Sequence, residues 1–377
     1  MISASAPIAS TITQRRGCFG TLPGGEPVEM VSLSNRRGLQ AQVLNLGAAL
    51  HAMSVPDRQG IFADVVLDHP NLQAMLAKPQ YFGTTIGRFA NRIAHSRFTL
   101  ADRRYQLPAN DGAHSLHGGF AGFDKALWKI LEHSASHVAL SHVSADGDQG
   151  YPGTLNATAV YTLDDEDQLT IEYRAVTDRA TLVNLTNHAY WNLAGEGSGS
   201  AMEHELRIAA DRYTPIDAQR IPTGEIRPVG GTAFDFRAAK PIARNLFDRQ
   251  DPQLLHGEGY DHNWVIDLED SGQLRLVAQA YERTSGRMLT MLSTQPGLQF
   301  YSGNFLDGSI LGKSGRPYGK GDGFALEPQH FPDTPHQPAF PSAWLAPGHT
   351  YRSQTVYRFT VDRPQDETAA RSPETSQ

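Results

Sequence analysis

The sequence predicts an all-β protein that folds as a large antiparallel β-sandwich. Short runs of alternating apolar and polar residues recur from about residue 28 to residue 361, and Gly, Pro, Asn and Asp separate them. The chain has 35 Gly and 23 Pro and no break in composition, which favours a single β-sandwich domain over residues 19–361. So many strands exceed what one open sheet usually carries, and the lack of a sequence repeat makes a propeller the weaker alternative.

The individual strands follow from these runs in chain order. Residues 41–50 form one alternating run, and residues 97–107 form another with a turn at 101–103. A hairpin is predicted over residues 157–163 and 169–176, because the acidic residues 164–167 supply a polar turn between two runs of Thr, Tyr, Val and Ile. The remaining runs lie at residues 274–281, 288–294, 298–301 and 355–361. The predicted helix covers residues 71–77, with Asn71 as its N-cap after Pro70.

Both ends of the chain are expected to lie outside the domain. Residues 1–18 are predicted to be a flexible N-terminus, and residues 362–377 a disordered tail. The tail contains no aromatic and no β-branched apolar residue that could pack into a core.

Composition argues against several classes of protein. The chain carries 33 Lys and Arg against 40 Asp and Glu, a net charge of −7, which argues against a nucleic-acid partner. Cys18 is the single cysteine, so an internal disulfide and a thiolate metal cluster are excluded. We find no signal peptide and no apolar stretch near the ~18 residues of a membrane span. We therefore expect a soluble, cytoplasmic monomer or homodimer without a membrane partner.

Two polar residues stand out in apolar local sequence. His188 lies among aromatic residues that could exclude water and shift its pKa, which suits an acid or a base. Glu327 follows an apolar run and has only Lys320 as a nearby basic residue, so a half-buried carboxylate there would be costly without a function. From these segments alone, His188 could equally be a core histidine, and Glu327 a strand end in solvent.

Other candidates share polar or aromatic side chains in Gly-rich or aromatic segments: Asn91, Arg92, His117, Tyr190, Asp261 and Gln299. Together they offer amide, guanidinium, imidazole and carboxylate groups beside aromatic rings. Sugars need this mixture, because each hydroxyl donates and accepts while the C–H faces pack on rings. His114 and His117 form H-x-x-H, but spacing nominates no third ligand, so neither a metal nor a cofactor is expected.

Eight ordered segments resemble the aldose 1-epimerase family, which includes the galactose mutarotases, and the likeness covers about residues 19–359. The segments are NRI (91–93), LHGG (116–119), GYPG (150–153), NLTNHAYWNL (184–193), GTAFDFR (231–237), YDHNW (260–264), QPGLQFYSGNFLDG (295–308) and GFALEPQHFP (323–332). The departures are peripheral: Ala233 replaces a usual proline, and the residues after Glu327 read PQHFPD where a Thr often follows.

The resemblance implies a single large β-sandwich with a sugar cleft, a small-molecule aldohexose substrate and no cofactor. It makes His188 the general acid and Glu327 the general base, and it places the six other candidates at sugar-binding positions. The base would take the C1 hydroxyl proton while the acid protonates the ring oxygen, which opens the ring. At neutral pH the pair is expected to be carboxylate and imidazolium, each supporting the other's charge unless burial opposes this.

Three other functions stay open at this point. A hexose-phosphate mutarotase would need clustered cations, and only Arg88 and Arg92 lie near the motifs. A glycoside hydrolase could pair Glu327 with Asp261, but His188 would then have no role. A non-catalytic sugar-binding protein would keep the aromatic residues and Asp261 without needing both His188 and Glu327.

Overall fold

The computed structural model describes residues 15–269 and 271–362. Within these ranges strands predominate, and we number them in chain order. The first fourteen are β1 (Arg16–Thr21), β2 (Pro27–Ser34), β3 (Gln40–Leu44), β4 (Ala49–Pro56), β5 (Phe62–Asp64), β6 (Thr85–Ile86), β7 (Arg92–Ile93), β8 (Arg97–Leu100), β9 (Arg103–Gln106), β10 (Ser115–Leu116), β11 (Lys129–His133), β12 (His137–Ser144), β13 (Leu155–Leu163) and β14 (Gln168–Thr177). The others are β15 (Thr181–Leu182), β16 (Thr186–Asn187), β17 (Tyr190–Trp191), β18 (Glu205–Ile208), β19 (Arg212–Thr214), β20 (Arg227–Pro228), β21 (Lys240–Pro241), β22 (Asp261–Val265), β23 (Arg275–Tyr281), β24 (Arg287–Ser293), β25 (Gly297–Tyr301), β26 (Phe324–Gln329), β27 (Trp344–Leu345) and β28 (Tyr351–Val361).

Helices are short. The α-helices are α1 (Leu72–Ala77), α2 (Ala243–Leu246) and α3 (Pro252–Gly257), and single 3₁₀ turns lie at Ala94–Ser96, Phe123–Lys125, Asp148–Gly150 and Thr334–His336. In the described ranges none of these helices has the length and apolar character needed to cross a bilayer.

Three sheets form the body of the fold. A five-stranded sheet runs β1-β2-β3-β4-β5, a nine-stranded sheet runs β11-β12-β13-β14-β28-β24-β23-β18-β21, and a six-stranded sheet runs β17-β26-β25-β22-β19-β20. Neighbouring strands in them pair antiparallel. The prediction of an all-β antiparallel sandwich is therefore confirmed.

The six-stranded sheet packs one face on the nine-stranded sheet. Trp191 on β17 lies 5.2 Å from Tyr357 and 5.9 Å from Phe359 on β28, measured between ring centroids. Phe300 and Leu326 on neighbouring strands belong to the same buried cluster. Because side chains alternate along a strand, the other face of the six-stranded sheet is left for a different set of residues.

Most predicted elements form close to their expected bounds. The acidic turn joins β13 and β14 as predicted, with Asp164 Oδ1 accepting hydrogen bonds from the backbone N–H groups of Glu166 (3.0 Å) and Gln168 (2.9 Å). Helix α1 has the predicted cap, since Asn71 accepts from the backbone N–H of Ala74 at 2.9 Å.

Two expectations need correction. The run at residues 41–50 is not one strand, because Gly47 and Ala48 have positive φ and turn the chain between β3 and β4. The predicted flexible N-terminus of residues 1–18 is too long, since β1 starts at Arg16, whose guanidinium binds Glu29 at 2.7 and 2.8 Å. The rest of that segment, residues 1–14, and residues 363–377 of the predicted tail lie outside the described residues.

Candidate active site

Side-chain alternation on the six-stranded sheet gathers polar groups on the face that looks away from the core. Gln299 on β25 is paired in register with Asn263 on β22 and with Glu327 on β26. The next row joins Asp261, Tyr301, Ala325 and Tyr190. Residues between these positions on the same strands enter the core. Polar side chains from separate strands thus form one surface.

A second group of predicted residues comes from the loops around β7 and β10. Leu116 pairs with Arg92 across these two short strands. Asn91 and His117 flank the pair and bind each other, since the Asn91 N–H donates to His117 Nδ1 (3.1 Å) and the His117 N–H donates to the Asn91 carbonyl (3.2 Å). Both residues have positive φ, 70° and 52°, so close loop packing holds them in a rare backbone conformation.

Arg92 connects the loop group to the sheet. Its Nε donates to Asp111 at 2.8 Å, and its Nη1 lies 3.5 Å from Asp261 Oδ2. Gln299 Nε2 donates to the other oxygen of Asp261 at 2.7 Å. Asp261 is therefore held in place from two sides, as a binding carboxylate should be.

His188 lies between β16 and β17 and is buried. Its backbone is fixed by two hydrogen bonds, from its N–H to Thr84 O (2.9 Å) and from Gly83 N–H to its own carbonyl (3.0 Å). Its Nε2 is 3.5 Å from Glu327 Oε1, whereas its Nδ1 is enclosed and has no hydrogen-bond partner in the described part of the chain. Burial lowers the pKa of His188 to about 4, because the imidazolium loses its hydration.

Glu327 is buried, and within residues 15–269 and 271–362 its Oε2 has no hydrogen-bond partner. Burial raises the pKa of Glu327 well above its usual value; the charge of Asp261 adds to the rise, and Arg92 opposes it. Burial therefore disfavours the expected carboxylate and imidazolium, because each group loses hydration when it is charged. Both pKa shifts favour the neutral form of the group.

His117 brings a third titratable group to the pair. One ligand atom each from His117, His188 and Glu327 lies within 4.8 Å of the other two, a spacing that a metal ion could use. His117 Nδ1 accepts the Asn91 N–H, so the proton of the neutral imidazole is on Nε2. A protonated nitrogen is a donor and not a metal ligand, and burial lowers the pKa of His117 well below its usual value. The set therefore suits a hydrogen-bond donor better than a metal.

The structure brings the eight predicted residues into one connected region. His114 is not part of it, since His114 Nδ1 accepts from the His95 N–H (3.0 Å) and its Nε2 lies 2.8 Å from Gln219 Oε1. Arg88 is also engaged elsewhere, with its guanidinium bound to the carbonyls of Pro152 (2.9 Å) and Gly153 (2.8 Å).

Three residues of the site were missed from sequence. Asn263 shares the polar face with Asp261 two positions earlier, and strand alternation within the YDHNW segment could have nominated it. Asp111 is in an Asn-Asp-Gly turn, and nothing in the sequence of this turn indicates that Asp111 binds Arg92. Tyr81 lies in a loop without a motif, yet its ring centroid is 4.5 Å from that of His117 and 5.7 Å from that of His188.

The site can move protons without a redox group. A carboxyl group and an imidazole lie side by side, both shielded from water and both with an unused hydrogen-bonding atom. A charged arginine, a held carboxylate and an amide surround them. This arrangement suits general acid–base chemistry on a polyhydroxylated substrate.

Comparison with known proteins agrees with this geometry. The family model described as "Aldose 1-epimerase" matches residues 29–358. The galactose mutarotase of Rattus norvegicus is 46% identical over 353 residues, which cover 93% of this chain and 99% of that protein. The galactose mutarotase of Homo sapiens is 44% identical over 349 residues, covering 92% and 98%. The aldose 1-epimerase of Escherichia coli K12 is 37% identical over 342 residues, covering 90% and 97%.

Solved structures show the same fold. The GalM/aldose epimerase homologue from C. elegans superposes with a TM-score of 0.82 at 33% identity, covering 89% of this chain and 99% of that one. The galactose 1-epimerase from Lactobacillus acidophilus gives a TM-score of 0.79 at 27% identity, covering 92% and 98%.

Proposed function

The chain belongs to the aldose 1-epimerase family and is an isomerase that interconverts the α and β anomers of aldoses; we propose that His188 and Glu327 transfer the protons. The observation that carries this assignment is the buried contact of 3.5 Å between His188 Nε2 and Glu327 Oε1. Free aldohexoses such as glucose and galactose are the proposed substrates.

Ring opening needs one base and one acid. Glu327 as the carboxylate removes the C1 hydroxyl proton, and His188 as the imidazolium protonates the ring oxygen O5, so that the C1–O5 bond breaks and the aldehyde forms. Rotation about C1–C2 presents the other aldehyde face. Closure then returns the proton from Glu327 to the new C1 oxygen, while O5 returns its proton to His188 and attacks C1.

Substrate binding must offset the burial that disfavours both charges. The C1 hydroxyl donates to the carboxylate, whose Oε2 has no hydrogen-bond partner among the described residues, and O5 accepts from His188 Nε2–H. Both contacts favour the ionised forms that burial disfavours. The open-chain intermediate has a protonated Glu327 and a neutral His188, so burial favours both of its forms.

The surrounding residues bind and orient the sugar. Asp261 accepts from sugar hydroxyls, while Arg92 and Gln299 hold that carboxylate and offer their remaining groups. Tyr190 provides an apolar face for sugar C–H groups, and His117 donates from Nε2. Asn91 mainly holds the loop and not the sugar, because its Oδ1 accepts a hydrogen bond from the Arg92 N–H at 2.8 Å.

The remaining alternatives fit the geometry less well. A phosphorylated hexose would need free cations, but Arg88 is bound to backbone carbonyls and Arg92 is shared by Asp111 and Asp261. A glycoside hydrolase would need Asp261 free to react, and both of its oxygens are engaged. A purely binding protein would have no need for a buried, unpartnered carboxyl group beside an imidazole.

Polarimetry of freshly dissolved α-glucose and α-galactose tests the proposal directly. We expect the purified protein to accelerate the approach to the anomeric equilibrium above the spontaneous rate with at least one sugar. Binding of either sugar without any acceleration would instead indicate a non-catalytic sugar-binding protein. Comparing kcat/KM for the two sugars then identifies the preferred hexose.

Location, assembly and domain organisation are separate proposals. A cytoplasmic location is supported by the single, exposed Cys18 and is tested by fractionating cells. A monomeric or homodimeric state without nucleic-acid or membrane partners is tested by light scattering and by binding assays. A single folding unit over residues 19–361 is tested by the number of transitions in calorimetry.

A further inference from the structure

Tyr81 lies in the loop between α1 and β6, beside the proton-transfer pair. The carbonyl of Tyr81 accepts hydrogen bonds from Thr84, at 3.1 Å from its N–H and 3.0 Å from its Oγ1. Thr84 O in turn accepts the His188 N–H at 2.9 Å, and Gly83 N–H donates to the His188 carbonyl at 3.0 Å. The loop that carries the Tyr81 ring is thus bound directly to the backbone of His188.

The imidazole of His188 is flanked by two nearly parallel tyrosine rings. Tyr81 stacks on it with centroids 5.7 Å apart and an interplanar angle of 23°, and Tyr190 stacks on it at 5.0 Å and 17°. Tyr81 also contacts His117, with centroids 4.5 Å apart at 59°. Tyr81 therefore touches both histidines that neighbour Glu327.

His188 needs such support once it is protonated. Burial removes water from the imidazolium, and its Nδ1 has no hydrogen-bond partner among the described residues, which leaves the second N–H of the cation without an acceptor there. An aromatic face within about 6 Å attracts a cation through the ring quadrupole, and the attraction grows when water is excluded. Two tyrosine faces are the groups placed to offset the lost hydration.

We propose that Tyr81 is a positioning residue for His188: its ring, together with that of Tyr190, holds the imidazole plane and stabilises the protonated donor. The inference rests on the proposed role of His188 as the acid in anomer interconversion. It concerns the aromatic ring of Tyr81 and not its hydroxyl.

The test compares Tyr81→Phe with Tyr81→Leu, using steady-state polarimetry and NMR titration of His188. The Phe variant keeps the ring, so kcat should stay within about twofold of the wild type. The Leu variant should lose about 2- to 30-fold in kcat with little change in KM, the range expected for one lost cation–π contact. The pKa of His188 should fall below its wild-type value in the Leu variant only.

Tyr105→Leu is the matched control. Tyr105 stacks on Phe98 at 5.2 Å, and the described ring contacts do not join it to His188. This variant should leave both kcat and the pKa of His188 unchanged.

If the Leu variant does not fold, a fluorinated phenylalanine series at position 81 replaces it, because added fluorine weakens the ring quadrupole while nearly keeping its shape. Under the proposal, kcat falls with each added fluorine. The proposal would be overturned if kcat did not change across the fluorinated series or if the Phe variant lost as much kcat as the Leu variant. A Leu variant that changed only in KM would also overturn it. Wild-type activity and its loss in His188→Asn are measured in the same assay, so failure of the proposed function is recognised separately.

Discussion

At the scale of single residues, burial and missing hydrogen-bond partners characterise the two groups proposed to transfer protons. Within the described residues His188 Nδ1 and Glu327 Oε2 have no hydrogen-bond partner, and His188 Nε2 lies 3.5 Å from Glu327 Oε1. Burying unpartnered polar atoms is costly for folding, and a substrate that supplies hydrogen bonds recovers part of the cost.

Removing either group should abolish most of the catalysis. We expect Glu327→Gln and His188→Asn to lose about 10²-fold or more in kcat while keeping sugar binding, because each removes one half of the proton transfer. Polarimetry and calorimetric titration with sugar measure the two effects. Glu26→Gln and His133→Asn, which change the same residue types at exposed positions, are the controls. Full activity in either site variant would remove that residue from the mechanism.

The pH dependence of the free enzyme follows from the same burial. Activity needs one proton on the pair, so kcat/KM should be bell-shaped. On the acid side, activity falls as a second proton binds His188, near its lowered pKa of about 4. On the alkaline side, activity falls as Glu327 loses the shared proton, and its raised pKa places this limb well above the usual range of a carboxyl group. Both limbs belong to the coupled pair.

Titration of His188 in the Glu327→Gln variant shows whether burial or the charge of Glu327 controls the pKa of His188. Glutamine resembles the neutral carboxylic acid, so the pKa of His188 should stay close to its wild-type value. A large fall in the pKa of His188 on removing Glu327 would mean that Glu327 is ionised in the sugar-free enzyme and that its charge, not burial, dominates.

At the scale of elements, the loop after β10 depends on glycine. Gly118 has φ of +87°, and a Cβ there would lie 1.9 Å from the carbonyl oxygen of Gly87. Gly112 in the same region has φ of +59° but no atom within 4 Å of the Cβ position. Glycine at 118 therefore permits both a positive φ and the close approach to Gly87, whereas glycine at 112 permits only the positive φ.

Alanine at these two positions should therefore differ in effect. Gly112→Ala should cost roughly 1 kcal/mol of unfolding free energy, from the backbone alone, with kcat unchanged. Gly118→Ala should cost more and lower kcat, because the loop must shift and His117 shifts with it. Denaturant unfolding and polarimetry on both proteins measure this. Equal losses of stability, with activity intact in both, would contradict the close approach at Gly118.

At the scale of the whole molecule, buried histidines set the response to acid. Burial lowers the pKa of His188 and His204 to about 4 and of His262 to about 3, and it also lowers that of His117. Between pH ~6.5 and ~4 the unfolded chain binds protons at these positions that the folded protein does not. Glu327 has the opposite effect on stability, because its raised pKa lets the folded protein bind a proton at pH values where the unfolded chain does not. The buried histidines outnumber it.

We therefore expect the free energy of unfolding to fall as the pH drops from about 6.5 toward 4. A depressed pKa of about 4 corresponds to roughly 3 kcal/mol per histidine over this interval. Calorimetry at several pH values gives Tm and the proton uptake on unfolding. His204→Gln cannot ionise at that position and should show a smaller loss of Tm between pH 7 and pH 5. A Tm that is constant over that range would contradict the burial of these histidines.

The sequence by itself determined most of the local structure and nominated His188 and Glu327 as the candidate acid and base. Alternation predicted the strands, the acidic turn predicted the β13–β14 hairpin, and Asn71 predicted the cap of α1, because these depend on neighbours a few residues away. Local context nominated the eight candidate residues, and the resemblance gave them roles that stay a prediction. One local expectation that failed was a continuous run over residues 41–50, because Gly47 and Ala48 have positive φ and turn the chain between β3 and β4, and an alanine carries no turn signal.

Only the tertiary structure decided what those groups experience. The directions of the pKa shifts of His188 and Glu327 depend on segments distant in sequence that exclude water from both. The tertiary structure also turns Arg88 to backbone carbonyls, joins Arg92 to Asp111 and places the ring of Tyr81 against His188. Local sequence sets the alternation of side chains along a strand and the positions of the turns. The exposure of a side chain to water and its contacts arise from packing between distant segments, which no short segment encodes.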